Sequence, residues 1–267
     1  MNSIRLSKQI RKLSLEMVFK AKASHIGSAL SISDIVAVLY GRVMRVSPLD
    51  PLMPSRDRFI LSKGHACVAV YAALAETGFI PHDILKTYGQ DDSWLMNHIS
   101  HKINGVEFST GALGHGLSFG VGKSLAAKIS GDDWRNFVLL SDGEMDEGSN
   151  WEALMFAAHH KLGNLTAIID YNKLQSLDTI SATLNLEPLS DKLKAFGCEV
   201  MEVDGHDHSA LFAALSNAHL EKPTVVIAHT IKGKGVSYME GKVSWHYKSP
   251  SLSELQIALS ELESHDA

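Results

Sequence analysis

The sequence predicts an α/β fold, with a mostly parallel sheet of five or six strands, helices on both faces, and one domain over residues 1–267. Three observations lead there. Short apolar, β-branched runs recur at 58–61, 136–140, 165–170, 199–203 and 224–228, each long enough for a buried strand. Helical patterns separate them, and strand–helix–strand order implies parallel pairing. The 267 residues are 45% apolar and 21% charged, ordinary values for a globular chain with a sizeable core.

Taken in order, residues 4–22 form a helix with Ile4, Ile10, Leu13, Met17 and Val18 as its apolar stripe. This basic, amphipathic start could pass for a transit peptide. Glu16 and the lack of an apolar h-region favour a mature helix instead. Ser24 to Ser28 breaks it, and Ser33 caps a second helix from Asp34 to Met44, whose first turn Asp34 favours. Three prolines make the next stretch a loop. A helix over 66–77 follows the first strand and Lys63-Gly64-His65, and Pro81 opens a short one. Residues 89–110 lack periodicity and read as a long loop carrying His98 and His101, the kind of segment that is usually functional. Further helices are expected from the glycine run at 111–116 to about 129, and at 149–161, 189–195, 209–219 and 252–264.

Composition excludes several classes. A net charge of −5 gives no reason to expect nucleic-acid binding. No uninterrupted run of 18 apolar residues argues for a membrane span. Two cysteines, Cys67 and Cys198, make no disulfide framework or zinc spacing, and a reducing cytoplasm is the plain expectation.

The centre of the chain is Leu139 to Ser176. Asp142 and Gly143 follow one strand, and Asn172 follows the next, where ligands bind in open α/β sheets. A carboxylate, an amide oxygen and the Leu174 carbonyl form a hard, all-oxygen set suited to Mg²⁺ or Ca²⁺. Mg²⁺ takes further ligands from phosphates, so a diphosphate is implied. As loop punctuation, Asp-Gly and Tyr-Asn would each be unremarkable alone; their joint placement is not. The glycine run GALGHGLSFGVG superficially suggests a dinucleotide fingerprint. No strong strand precedes it, and Asp132 and Asp133 come before the next strand rather than at its end, so a tight loop approaching a ligand by its backbone is the better reading.

Asp142-Gly143 with Asn172 resembles the thiamine diphosphate signature, and DGEMDEGSNWEA and HKLGNLTAIIDYNK are similar to transketolases. Ser141 replaces the signature's first Gly, and Tyr171 the residue before its Asn. The likeness covers nearly the whole chain but only the family's amino-terminal domain. It implies thiamine diphosphate with Mg²⁺ or Ca²⁺ on Asp142, Asn172 and Leu174. His25 in SHIGSALS and His246 in Ser-Trp-His would handle proton transfer and oxyanion contact, and His246 also lies toward the cofactor. His98 would face the donor's C1 and C2 oxygens, in a motif where Asn97 and Ile99 depart from the family's Gly and Pro. His65 of the Gly-His pair would meet the diphosphate. Gly111, Ala112, Leu113 and Gly114 resemble the family's Gly-Pro-Leu-Gly loop and, with Gly143 and Lys232, complete the cofactor set. Glu147 joins that set and, with Glu152, matches carboxylates near the subunit interface; Glu144 and Asp146 read as helix-dipole partners. The resemblance further implies a separate carboxy-terminal subunit holding the pyrimidine end, an α₂β₂ assembly, and two-carbon ketol transfer between sugar phosphates. The alternatives are the α subunit of a 2-oxoacid dehydrogenase and a non-catalytic scaffold. The Gly-His pair, the SHIGSALS loop and the late Trp-His argue against the first, and the intact Asp142, Asn172 and histidines against the second.

Overall fold

A computed structural model describes residues 1–217 and 220–264. Its strands are β1 (Arg58–Leu61), β2 (Asn136–Ser141), β3 (Leu165–Tyr171), β4 (Glu199–Asp204) and β5 (Thr224–His229). All pair in parallel, in the order β1-β2-β3-β5-β4. The helices are α1 (Ser3–Ala21), α2 (Ile26–Val38), α3 (Cys67–Glu76), α4 (Gly116–Ser130), α5 (Gly148–His159), α6 (Ile180–Thr183), α7 (Leu189–Ala195), α8 (His208–Ser216) and α9 (Leu252–Ser264).

The sheet divides two apolar layers because successive strand residues point to opposite faces. On β2, Phe137 and Leu139 join the layer of α1, α2, α3, α8 and α9. Val138 and Leu140 join the layer of α4, α5 and α7. On β5, Val226 and Ala228 face the first layer, Val225 and Ile227 the second. β2, β3 and β5 are buried on both faces and read as near-continuous apolar runs, whereas the edge strand β4 is only half-buried and alternates Val200, Met201 and Val203 with acidic residues.

The second helix departs from expectation. It starts at Ile26, eight residues before Asp34, and continues beyond Val38 as a π-helical turn over Leu39–Val43. Ser33 caps nothing; its hydroxyl donates to the Ala29 carbonyl in mid-helix (2.9 Å). All thirteen residues of α2 are buried. Tertiary burial on every side, not a cap or an amphipathic stripe, keeps this segment helical. Residues 26–43 are long and apolar enough to cross a membrane, but 83% of them are buried inside the protein, as in a core helix. No pattern in the sequence signals the short α6. Helix α8 runs to Ser216, and the last two positions of the helix expected there lie outside the described residues.

Gly120 lets α4 lie close against the sheet. A Cβ there would stand 2.5 Å from Val138 Cγ2 and 3.4 Å from Ile60 Cδ1. Gly120→Ala is therefore expected to destabilise the fold by about 1–3 kcal/mol, the usual cost of overpacking a core. Thermal unfolding checks this, and an unchanged or raised melting temperature would refute the close packing.

Candidate active site

The carboxyl ends of three strands, together with helix α2, meet at one carboxylate. Asp170, near the end of β3, is completely buried. The Lys63 ammonium, just past β1 and equally buried, donates to its Oδ2. Ser31 of α2 donates to the same oxygen (2.6 Å), as does Asn172 Nδ2 (3.2 Å). Thr230, just past β5, donates to Oδ1. Burial alone would push this carboxyl up, but Lys63 and the hydroxyls hold it below the usual range. Lys63, Asp170, Ser31 and Thr230 were not singled out from sequence. The signal was present: Lys63 precedes the Gly-His pair, and Asp170 is a charge closing an otherwise apolar strand.

Asp142, at the end of β2, is also buried. Its Oδ1 accepts from the Gly143 N–H (2.8 Å) and its Oδ2 from the Lys173 N–H (2.6 Å). Lys173 adopts φ 64°, a left-handed turn that ends β3 and aims this N–H back at Asp142. Burial, and then the neighbouring Asp170, push the Asp142 carboxyl up to about 7. The Asn172 amide oxygen accepts from the Leu174 N–H (3.1 Å). The Leu174 carbonyl accepts from the Lys232 ammonium (3.0 Å), as does that of Gln175 (2.9 Å). Among the described residues no group of three or more His, Cys, Asp or Glu side chains could hold a metal. A cation here would depend on the amide and carbonyl oxygens beside Asp142. The donors are hard oxygens, and a carboxyl strained upward by burial favours a nearby positive charge, so the set fits Mg²⁺ or Ca²⁺.

The four singled-out histidines converge. His25 sits at φ 72° before α2, its N–H donating to the His246 carbonyl (2.7 Å). Its ring centroid lies 5.1 Å from that of His65, 6.1 Å from His98 and 5.0 Å from His246. His65 Nε2 is 2.9 Å from the Ser28 hydroxyl. His98 is placed by its loop: Tyr71 donates to the His98 carbonyl (3.1 Å), and the Ile99 N–H to the Gly64 carbonyl (3.2 Å). Burial lowers His25 to about 4, helped by His98 and Lys232, and His246 to about 3, helped by Lys232 and His25. His65 and His98 are also lowered by burial. The cluster is thus neutral at pH 7. Lys232 links it to the oxygen set around Asp142, because the same ammonium lies 3.1 Å from His246 Nδ1. Burial first, then Lys63, lowers Lys232 to about 8. His101 lies apart, its Nδ1 2.6 Å from the Ser109 hydroxyl.

The glycine loop is held by Glu144, whose expected role as a helix-dipole partner is overturned. Glu144 is completely buried. Its Oε1 accepts from the Gly114 N–H (2.9 Å) and from Ser62, and its Oε2 from the Ser141 N–H (3.3 Å). Ser141, the departure from the signature, takes the Glu144 N–H on its own hydroxyl (3.2 Å). Gly114 adopts φ 82°, where a Cβ would press on Ser149 and Glu147 at 2.6–2.7 Å. At Gly111 a Cβ would stand 3.5 Å from His98 Cδ2, so this end of the loop borders the histidines. Ala112 is exposed and Leu113 half-buried beside it, while Glu147 and Glu152 are exposed on and near the start of α5.

Residues 3–261 match the family described as transketolase, thiamine diphosphate binding domain. The chain belongs to the transketolase family. It is 43% identical to one of the subunits of the apulose-4-phosphate transketolase of Phocaeicola vulgatus, over 96% of this chain and 92% of that protein. It is 40% identical to a 6-deoxy-6-sulfo-D-fructose transketolase subunit of a Clostridium species, over 97% of this chain and 95% of that one. The transketolase of Homo sapiens is 38% identical over 90% of this chain, which spans only 38% of the human protein. The crystal structure of Campylobacter jejuni transketolase superposes with a TM-score of 0.92 at 29% identity, over 98% of this chain and 43% of that one. The chain therefore spans about two-fifths of these longer transketolases.

The electrostatics of this transketolase domain can be tested in two ways. Asp170→Ala strands the buried Lys63 ammonium and should cost about 3–5 kcal/mol of stability. Pairing Lys63→Met with Asp170→Asn should recover part of it in urea unfolding. A single variant as stable as wild type would remove Asp170 from its central place. For pH, the folded-state values of His25 and His246 lie below 6.5, so the unfolded chain takes up protons that the folded chain refuses. Their contribution is complete above pH 6.5 and is lost as pH falls toward about 4 and about 3. Asp142 opposes this, its raised carboxyl favouring the folded state as pH falls through about 7. The advantage of His246→Gln over wild type in urea midpoint should therefore grow between pH 7 and pH 5. A constant difference would contradict the neutral, buried imidazole.

Proposed function

We propose that the chain is the amino-terminal subunit of a thiamine diphosphate-dependent transketolase that moves a two-carbon ketol unit from a ketose phosphate to an aldose phosphate. The observation that carries this reading is the Lys232 ammonium, which touches both the Leu174 carbonyl (3.0 Å) and His246 (3.1 Å). The oxygen set and the histidine cluster are thus two ends of one site, within the span of one cofactor. Asp142, Asn172 and the Leu174 carbonyl hold Mg²⁺ or Ca²⁺. His65, Lys232, Gly143 and the backbone of Gly111, Ala112, Leu113 and Gly114 receive the diphosphate. Glu147 lies at the open side of that loop, toward the subunit interface.

When bound, thiamine diphosphate supplies the carbon nucleophile that adds to the donor carbonyl. The protein's part is to take and return protons and to orient oxygens. His25 and His246 are neutral at pH 7, so each can accept a proton on one ring nitrogen while donating from the other. Lys232 donates to His246 Nδ1, which leaves the His246 Nε2 proton for an oxygen of the substrate. His98 faces the donor's C1 and C2 oxygens.

A carboxy-terminal subunit completes the cofactor pocket at the pyrimidine end, in an α₂β₂ assembly. Support for a partner comes from the names of relatives that the chain nearly spans, which are called transketolase subunits. The chain acts as one domain in the cytoplasm, where its two buried thiols stay reduced. The 2-oxoacid dehydrogenase alternative gains nothing from the family match.

The test is an assay with cofactor, Mg²⁺ and a ketose phosphate, with and without the partner subunit. Ketol transfer is expected only with the partner, and full activity of this chain alone would overturn the split-subunit reading. In the assembled enzyme His25→Ala and His246→Ala should each lower turnover by roughly 10²–10⁴-fold, as for a lost acid or base. Cofactor affinity should change little. Turnover within a factor of two of wild type would make that histidine a bystander.

A further inference from the structure

The segment carrying Lys232 is fastened from behind by a polar cluster that has no part in the proposed chemistry. Asp34, buried in mid-α2, accepts from both terminal nitrogens of Arg11 (2.9 and 2.5 Å). It also meets His206 Nδ1 at Oδ2 (2.7 Å) and His208 Nε2 at Oδ1 (3.1 Å). His206 then reaches the catalytic side: its Nε2 accepts from the Ile231 N–H (2.8 Å), one residue before Lys232. Arg11 Nε donates to the Lys234 carbonyl (3.1 Å), and the Gly233 N–H to the Gly27 carbonyl (2.9 Å). Residues 231–234 are thus clamped from α1, α2 and the turn after β4.

The tautomer of His206 follows from its partners. A ring nitrogen facing a backbone N–H must be the acceptor, so Nε2 carries no proton. The proton lies on Nδ1, where Asp34 receives it. Asp34 therefore does for this imidazole what a carboxylate does behind a metal-bound histidine: it fixes the ring's orientation and leaves the far nitrogen as the acceptor.

We infer that His206 is a positioning residue that, through the Ile231 N–H, sets the Lys232 ammonium between the Leu174 carbonyl and His246, with Asp34 locking the required tautomer. Lys232 has a long, flexible stem, so its placement depends on how firmly its backbone is held. The inference rests on the reading of Lys232 as part of the cofactor site.

Two isosteric replacements separate this role from a structural one. In His206→Gln the side-chain oxygen can occupy the place of Nε2 and accept from Ile231, while the link to Asp34 is lost. In His206→Asn the amide can occupy the place of Nδ1 and donate to Asp34, while the acceptor for Ile231 is lost. Hydrogen–deuterium exchange of the full chain reads residues 230–236 directly, without cofactor. His206→Asn should raise exchange there about tenfold, and His206→Gln should stay near wild type. Titration with thiamine diphosphate and Mg²⁺ in the assembled enzyme should show the same split, with affinity about tenfold weaker for His206→Asn only. Equal exchange in the two variants, or faster exchange in His206→Gln, would overturn the inference. A wild-type enzyme that bound no cofactor would instead count against the functional reading, with the exchange comparison still deciding the role of His206.

Discussion

The site depends on one buried charge pair. Lys63 and Asp170 have no exposure to water, and neither would be tolerated there without the other. Their contact ties the end of β1 to the end of β3, while Ser31 and Thr230 bring in α2 and the segment after β5. A buried ion pair is weak evidence of stability, because apolar replacements often serve as well. Its value here is geometric. It fixes how four chain segments meet: Asn172, His65 and Lys232 each lie two residues from Asp170, Lys63 or Thr230, and the Asp142 N–H donates to the Asp170 carbonyl (3.3 Å).

Around that pair, fields of both signs are left unbalanced in complementary ways. Asp142 is pushed up because burial removes water and Asp170 lies near. The histidines are pushed down by burial and by Lys232 or Lys63. A divalent cation at Asp142 would relieve the first, and an anionic diphosphate beside Lys232 and the histidines would relieve the second. The protein alone therefore presents groups of both signs that complement the metal and the anion of the proposed cofactor.

Much of this was legible in the chain. The inner strands β2, β3 and β5 announced themselves because strands buried on both faces are written in apolar residues, and the positions of Asp142 and Asn172 after two of them followed from βαβ order. The four histidines were found through their loops. What escaped was long-range. Glu144 looked like an ordinary acidic residue at a helix start, yet it is the buried acceptor for the glycine loop. Asp34 looked like a first-turn residue, yet it sits in mid-helix receiving Arg11, His206 and His208. Local pattern gives the usual solvent side of a residue, but a buried charge is decided by partners dozens of positions away. Arg11 and His206 stand 23 and 172 residues from Asp34.

The central claim is that the carboxyl edge of this sheet binds a metal–diphosphate unit through Asp142 and its oxygen neighbours. Calorimetric titration of the assembled enzyme with thiamine diphosphate, in Mg²⁺ and in EDTA, tests it most directly when wild type is compared with Asp142→Asn. The account predicts binding that requires Mg²⁺ in wild type and is weakened by about 10²-fold or more in the variant, the range expected when a buried charged partner is removed. Equal affinity in EDTA, or an unweakened Asp142→Asn, would contradict it.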